Sequence, residues 1–173
     1  DKYDYMQGFD VKSNHDIAKT IAVFSAFTEG LQLFASFAIL LNFPRQNKMK
    51  GMGQIVTWSV RDETLHCNSM IKLFRTFIEE NPKVWTEDLK KEIYEACRTI
   101  ISHEDAFINL AFEMGPISGL TAEQVKQYIR WIGNRRLIQL GLEPIYKVDK
   151  NPLTWLDTML NAVEHMNFFE GRA

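Results

Sequence analysis

Cysteine is nearly missing from this chain: among 173 residues there are two, Cys67 and Cys97. Their separation fits no zinc spacing, and two thiols make no disulfide framework. They read as buried free thiols in a reducing, cytoplasmic setting. Charge of one sign is also lacking, because 20 Lys and Arg stand against 22 Asp and Glu for a net charge of −2. That balance excludes the strongly basic surface a nucleic-acid partner requires. No basic segment followed by an apolar core opens the chain, so no signal peptide is expected. Strict period-two alternation is absent throughout, which excludes a sheet as the main architecture. No internal repeat or low-complexity tract divides the sequence. Its length suits a single domain, here residues 1–173, with a sizeable core.

What is present is helical periodicity. After an unpatterned segment, Asp1 to Asp10, Ser13 or Asn14 is placed to cap a helix from about His15 to Asn42, with Pro44 at or just past its end. A second helix runs from about Lys48 to Glu80, entering through Gly51 and Gly53 and stopping at Asn81-Pro82. Thr86, followed by Glu87 and Asp88, caps a third that continues to about Met114. Thr121 opens a fourth, ending near Gly141, and Leu153 to about Ala162 forms a short last helix. The expected class is all-α. Ile21 to Phe43 approaches the apolar density of a membrane span. It carries Glu29, Gly30 and Gln32 near its middle and lacks a flanking Lys/Arg cluster, so it reads as a helix buried on all sides of a soluble bundle.

Glu29 and Glu63 carry the chemistry. They lie 34 residues apart on either side of the break at Phe43-Pro44-Arg45-Gln46-Asn47. Each is about 15 residues from that turn, so at ~1.5 Å rise per residue both sit roughly 20 Å along their helices. An antiparallel pair would bring them to the same height. His66 follows Glu63 by three positions and projects from the same face. Two carboxylates and an imidazole converging inside a bundle are half of a dinuclear centre, which four-helix carboxylate proteins build from two Glu and two Glu-x-x-His. Oxygen ligands with one imidazole suit iron or manganese. Asp62 points about 100° away around its helix and would accept a hydrogen bond from an imidazole N–H on a neighbouring helix. Leu33 and Phe37, four and eight residues after Glu29, would wall the site with apolar groups.

Plainer roles compete with these. A single Glu in an apolar helix is as well explained by a structural ion pair, and Glu-x-x-His recurs by chance. Arg61-Asp62 fits a solvated pair. His103, Glu104 and Asp105 read as a helix surface, and so do Glu164 and His165. Arg130, Arg135 and Arg136 form a basic face suited to salt bridges or an interface, and the phenylalanines at helical spacing are ordinary core.

The residues resemble the small, radical-generating subunit of class I ribonucleotide reductase. The resemblance rests on Phe27-Thr28-Glu29-Gly30-Leu31, on Arg61-Asp62-Glu63-x-x-His66, and on the interval between the two glutamates. Asn134-Arg135-Arg136-Leu137 through Leu140-Gly141-Leu142, Asn151-Pro152-Leu153-x-Trp155 and Asn167-Phe168-Phe169-Glu170-x-Arg172 extend it along the chain. It implies a ferritin-like bundle, a dinuclear iron centre (alternatively manganese or Fe/Mn) with Glu29, Glu63 and His66 as ligands, and a cytoplasmic homodimer that serves a large subunit. Asp62 would belong to the hydrogen-bonded path for radical transfer, and Leu33 and Phe37 would line the oxygen pocket, where Leu33 departs from an aromatic found in some members. Only the second half of the family's domain is matched. The first half would supply an Asp, another Glu-x-x-His and the radical-bearing Tyr, and Tyr3 and Tyr5 do not match that position. The expectation is therefore a fragment with half the metal ligands, inactive alone. A di-iron oxidase or monooxygenase on the same helices, and a non-catalytic helical domain, remain open as alternatives.

Overall fold

The computed structural model describes residues 12–162, and among them the secondary structure is helical apart from one isolated bridge between Ile117 and Leu120. Helix α1 (Asn14–Val23) starts where Ser13, in extended conformation, accepts a hydrogen bond from the Asp16 backbone N–H. That contact satisfies one of the donors a helix start leaves open. A π-helical turn, Phe24–Glu29, follows directly, and then α2 (Phe34–Arg45). The expected unbroken helix is thus corrected. Gln32 donates from its backbone N to Phe27 O, five residues back, and α-geometry resumes only at Phe34. Neither Pro nor a Gly pair lies between Phe24 and Glu29 to signal the change.

Pro44 lies inside the last turn of α2, one residue before its end, rather than stopping the helix. The turn closes as Gln46 N and Lys48 N both donate to Phe43 O. Asn47 and Met49 then take left-handed conformations, and α3 (Lys50–Glu80) runs back along α2. Gly53 lets the two helices meet, because a Cβ there would fall 2.6 Å from Pro44 Cγ.

A 3-10 turn (Pro82–Val84) leads to α4 (Glu87–Glu113), capped by Thr86, and then α5 (Ala122–Gln139). Thr121 and Gln124 form a reciprocal capping box at the start of α5. Helix α6 spans Thr154–Ala162. Its approach is pinned by Asn134, whose side chain donates to Tyr146 O and accepts from Ile145 N and Tyr146 N.

Apolar faces at helical spacing make one core: Val56, Val60, Cys67, Ile71 and Phe74 of α3, and Leu89, Ile93, Ile100 and Ile108 of α4. The π-turn sits centrally, in contact with α3, α4 and α5 as well as α1. Asn14–Arg45 is long and apolar enough to cross a bilayer, but 56% of its most apolar window is packed inside the bundle, as a core helix would be. It is not buried on all sides, since Leu33 and Leu40 reach solvent.

Candidate metal centre

Glu29 is the last residue of the π-turn, and Gly30 follows it at the closest approach of that turn to α3 and α5. A Cβ on Gly30 would lie 2.8 Å from Cys67 Sγ and 2.7 Å from Arg136 Nε. The Glu29 segment therefore packs against α3 at Cys67, one helical turn beyond Glu63. The charges agree with this placement. Burial pushes the Cys67 thiol above its ordinary pKa, Arg136 opposes that shift, and Glu29 and Glu63 both add to it.

The four polar residues are not equally placed. Glu29 is half-buried, and among the described residues its Oε2 is a buried oxygen that accepts no hydrogen bond. Gln32 Nε2, three residues on, is buried without an acceptor in the same way. Glu63 is also half-buried, whereas Asp62 and His66 are exposed. The helical spacing puts Asp62 and His66 on one face of α3 with Ile55, Trp58, Leu65 and Leu73, all large apolar residues that reach solvent. Of the apolar pair, Phe37 is buried and meets Phe34 edge-on at 5.7 Å, while Leu33 is 39% exposed.

The structure brings Glu29 and Glu63 to a common neighbour, Cys67, but among the described residues no three His, Cys, Asp or Glu side chains close into a metal-holding group. The donor chemistry suits a hard cation, and an orphaned buried carboxylate oxygen is what such a cation would satisfy. The described residues thus offer oxygen donors of the kind a hard cation accepts.

Several sequence readings change. Glu104 is not surface: it is 0% exposed, inside the face that α4 turns to the core. Asp105 holds Arg130 through two contacts, 2.9 and 2.6 Å. Arg135 lies over the Trp131 ring at 4.7 Å. Arg136 is buried rather than part of a basic face, donating from Nε to Gly30 O at 2.9 Å. Nothing in the spacing of Asn134-Arg135-Arg136 announces that role, although the glycine beside Glu29 hints at a close approach. Glu164, His165, the Asn167 to Arg172 block, Tyr3 and Tyr5 lie outside the described residues.

Comparison with known proteins identifies the family. The model of the family described as ribonucleotide reductase, small chain, matches residues 1–152. The chain belongs to that family. A probable ribonucleoside-diphosphate reductase small subunit of Invertebrate iridescent virus 3 is 51% identical over 158 residues, covering 91% of this chain and 42% of the relative. The ribonucleoside-diphosphate reductase subunit beta of Chlamydia pneumoniae is 35% identical over 167 residues, covering 95% of this chain and 48% of that protein. In three dimensions the ribonucleotide reductase R2 subunit from Clostridium botulinum superposes with a TM-score of 0.80 at 27% identity, over 86% of this chain and 46% of that one. The chain therefore has the helical small-subunit fold and spans about half the length of these curated relatives.

Proposed function

We propose that this chain carries one half of the dinuclear metal centre of a ribonucleoside-diphosphate reductase small subunit, with Glu29, Glu63 and His66 as its ligands. The observation that carries the reading is the buried, unpartnered Glu29 Oε2, with Glu29 and Glu63 both acting on the Cys67 thiol. A bound dinuclear iron centre, or its manganese or Fe/Mn equivalent, supplies O₂ activation and the oxidising equivalent that a large subunit needs to make deoxyribonucleotides.

The chain's own residues orient and enclose. Arg136 fixes the backbone after Glu29, and Phe37 with Leu33 makes the apolar wall. Asp62, on the same face as His66, accepts a hydrogen bond in the path toward the large subunit. The exposed stripe of Ile55, Trp58, Leu65 and Leu73 around Asp62 and His66 favours a covered face in the assembled protein. A homodimer gives one way to cover it, because an isologous contact lets one surface complement itself. The setting is the cytoplasm, with no membrane and no nucleic acid as partner.

The absence of a three-residue cluster among the described residues favours a second reading, that this chain alone is a helical domain without metal. Anaerobic titration with Fe(II) or Mn(II) separates the two. Binding that Glu29→Gln and His66→Ala each weaken by about tenfold or more supports the first reading. No metal uptake by the chain, or uptake indifferent to both substitutions, supports the second. On either reading, the chain mixed with a competent large subunit gives no nucleotide reduction, because a catalytic group lacking half its members loses nearly everything.

A further inference from the structure

A cleft of about 510 Å³ opens between α3, α5 and α6. It is lined by Arg61, Leu65 and Asn68 of α3 but by neither Glu63 nor His66, so it is separate from the carboxylate and imidazole set. Arg136 lines it while only 6% exposed. Its Nε donates to Gly30 O at 2.9 Å and its Nη1 to Gln139 Oε1 at 2.8 Å, both neutral acceptors. Among the described residues it forms no ion pair. A guanidinium stays protonated even here, so a positive charge lies buried with neutral acceptors and the Phe34 ring, 5.6 Å away, but no anion to compensate it.

Two further arginines, Arg61 and Arg135, line the same cleft and are exposed. Among the described residues Asp157 is its one lining carboxylate, and its Oδ2 already accepts from Asn151 Nδ2 at 2.7 Å. Those described lining residues set three cations against one anion, an excess of +2. A phosphomonoester, with about −1.5 to −2 charge at neutral pH and several acceptor oxygens, matches that excess, where a carboxylate would neutralise half of it. The cleft is far larger than a phosphate and falls in the range of small-molecule sites, ~300–1,000 Å³. Phe34, Val60, Leu65 and Leu160 give the cleft an apolar lining beside the three arginines.

We propose that this cleft is a binding site for a small organic phosphate, with Arg136, Arg61 and Arg135 holding the phosphate and the apolar residues of α2, α3 and α6 holding its body. Because Arg136 also anchors Gly30, an occupied cleft would stiffen the segment that carries Glu29.

Calorimetric titration of the chain with phenyl phosphate, inorganic phosphate and sodium chloride at matched ionic strength tests the idea. Phenyl phosphate is expected to bind about tenfold more tightly than inorganic phosphate, since only it reaches the apolar wall. Arg61→Ala and Arg135→Ala, both exposed and outside the core, should each weaken it by about fivefold with the circular dichroism spectrum unchanged. Equal affinity for the two phosphates shows that only the ion is held and overturns an organic ligand. Heat no greater than that of chloride, or a double variant that binds like wild type, overturns the site altogether.

Discussion

Replacing Gly30 with alanine should be among the most damaging single-methyl additions to this chain. In an ordinary helix or turn, Gly→Ala gains about 0.5–1 kcal/mol by restricting the unfolded chain, and the Gly30 backbone (φ −83°, ψ −9°) would accept alanine without strain. Here the added Cβ would collide with Ala26 O and meet Arg136 Nε at 2.7 Å and Cys67 Sγ at 2.8 Å. Overpacking of this kind costs about 1–3 kcal/mol. Displacing Arg136 also loses a charge-assisted hydrogen bond to Gly30 O, about 1.5–3 kcal/mol more. The balance is a destabilisation of about 1.5–5.5 kcal/mol. At roughly 2–4 °C per kcal/mol for a domain of this size, the melting temperature falls by about 3–20 °C. Gly51→Ala is the internal control: nothing lies within 4 Å of its Cβ, and it should be neutral or stabilising by up to about 1 kcal/mol. Cys67→Ala in the Gly30→Ala background should rescue only part of the loss, since Ala26 O and Arg136 stay in place. Thermal and urea unfolding of the four proteins decide the matter. A Gly30→Ala variant that melts within about 2 °C of Gly51→Ala, or full rescue through Cys67, refutes the three-way contact.

Thr121→Ala should cost about 1 kcal/mol in urea unfolding, because it removes the hydroxyl that accepts from Gln124 N at the start of α5. Phe74→Ala, which empties a fully buried site packed edge-on against Trp85 at 5.7 Å, should cost about 3–5 kcal/mol by the same measurement. Lys19 and His15 hold the Glu92 carboxyl below its ordinary pKa of 4.5. The stability this contributes is present above that value and is lost as the pH falls through the depressed folded-state pKa, so Glu92→Gln should flatten the acid limb of a stability profile. Burial pushes the Cys97 thiol up to about 12, so a disulfide reagent at pH 8 should label Cys97 only after denaturant is added, and rapid labelling of the native chain would contradict its burial.

Where the sequence was legible, a local signal matched a local cause. Ser13, Thr86 and Thr121 are caps whose side chains serve the nearest open N–H groups, and each helix start falls beside them. The antiparallel return of α3 along α2 followed from the turn at Pro44, and the Gly30–Cys67 approach fixes where the Glu29 segment meets it. Three features were hidden because their causes are not local. The π-turn arises where α1 and α2 must both pack on α3, and no residue from Phe24 to Glu29 advertises it. Glu104 looks like surface beside His103 and Asp105, yet it lies on the same stripe as Cys97, Ile101 and Ile108 and is carried inward with them. Arg136 is indistinguishable in sequence from its exposed neighbour Arg135, since only the position of Gly30 on another helix decides which of them is buried. Even the exposure of His66 depends on what covers the outer face of α3, and the spacing of Glu63 and His66 carries no record of that.

The bond from Arg136 to Gly30 O also sets an order of events in synthesis. Its partners lie 106 residues apart. At about 5–20 residues per second, a nascent chain exposes the Glu29 segment roughly 5–20 s before the arginine that holds it is made. Through that interval α1, the π-turn, α2 and α3 can already pair as neighbours in sequence, while the anchor waits on the long loop closure through α4 and α5. The carboxylate end of the molecule is therefore assembled early and fixed last. A ribosome stalled before Arg136 should present a collapsed hairpin whose Gly30 carbonyl still lacks its arginine donor.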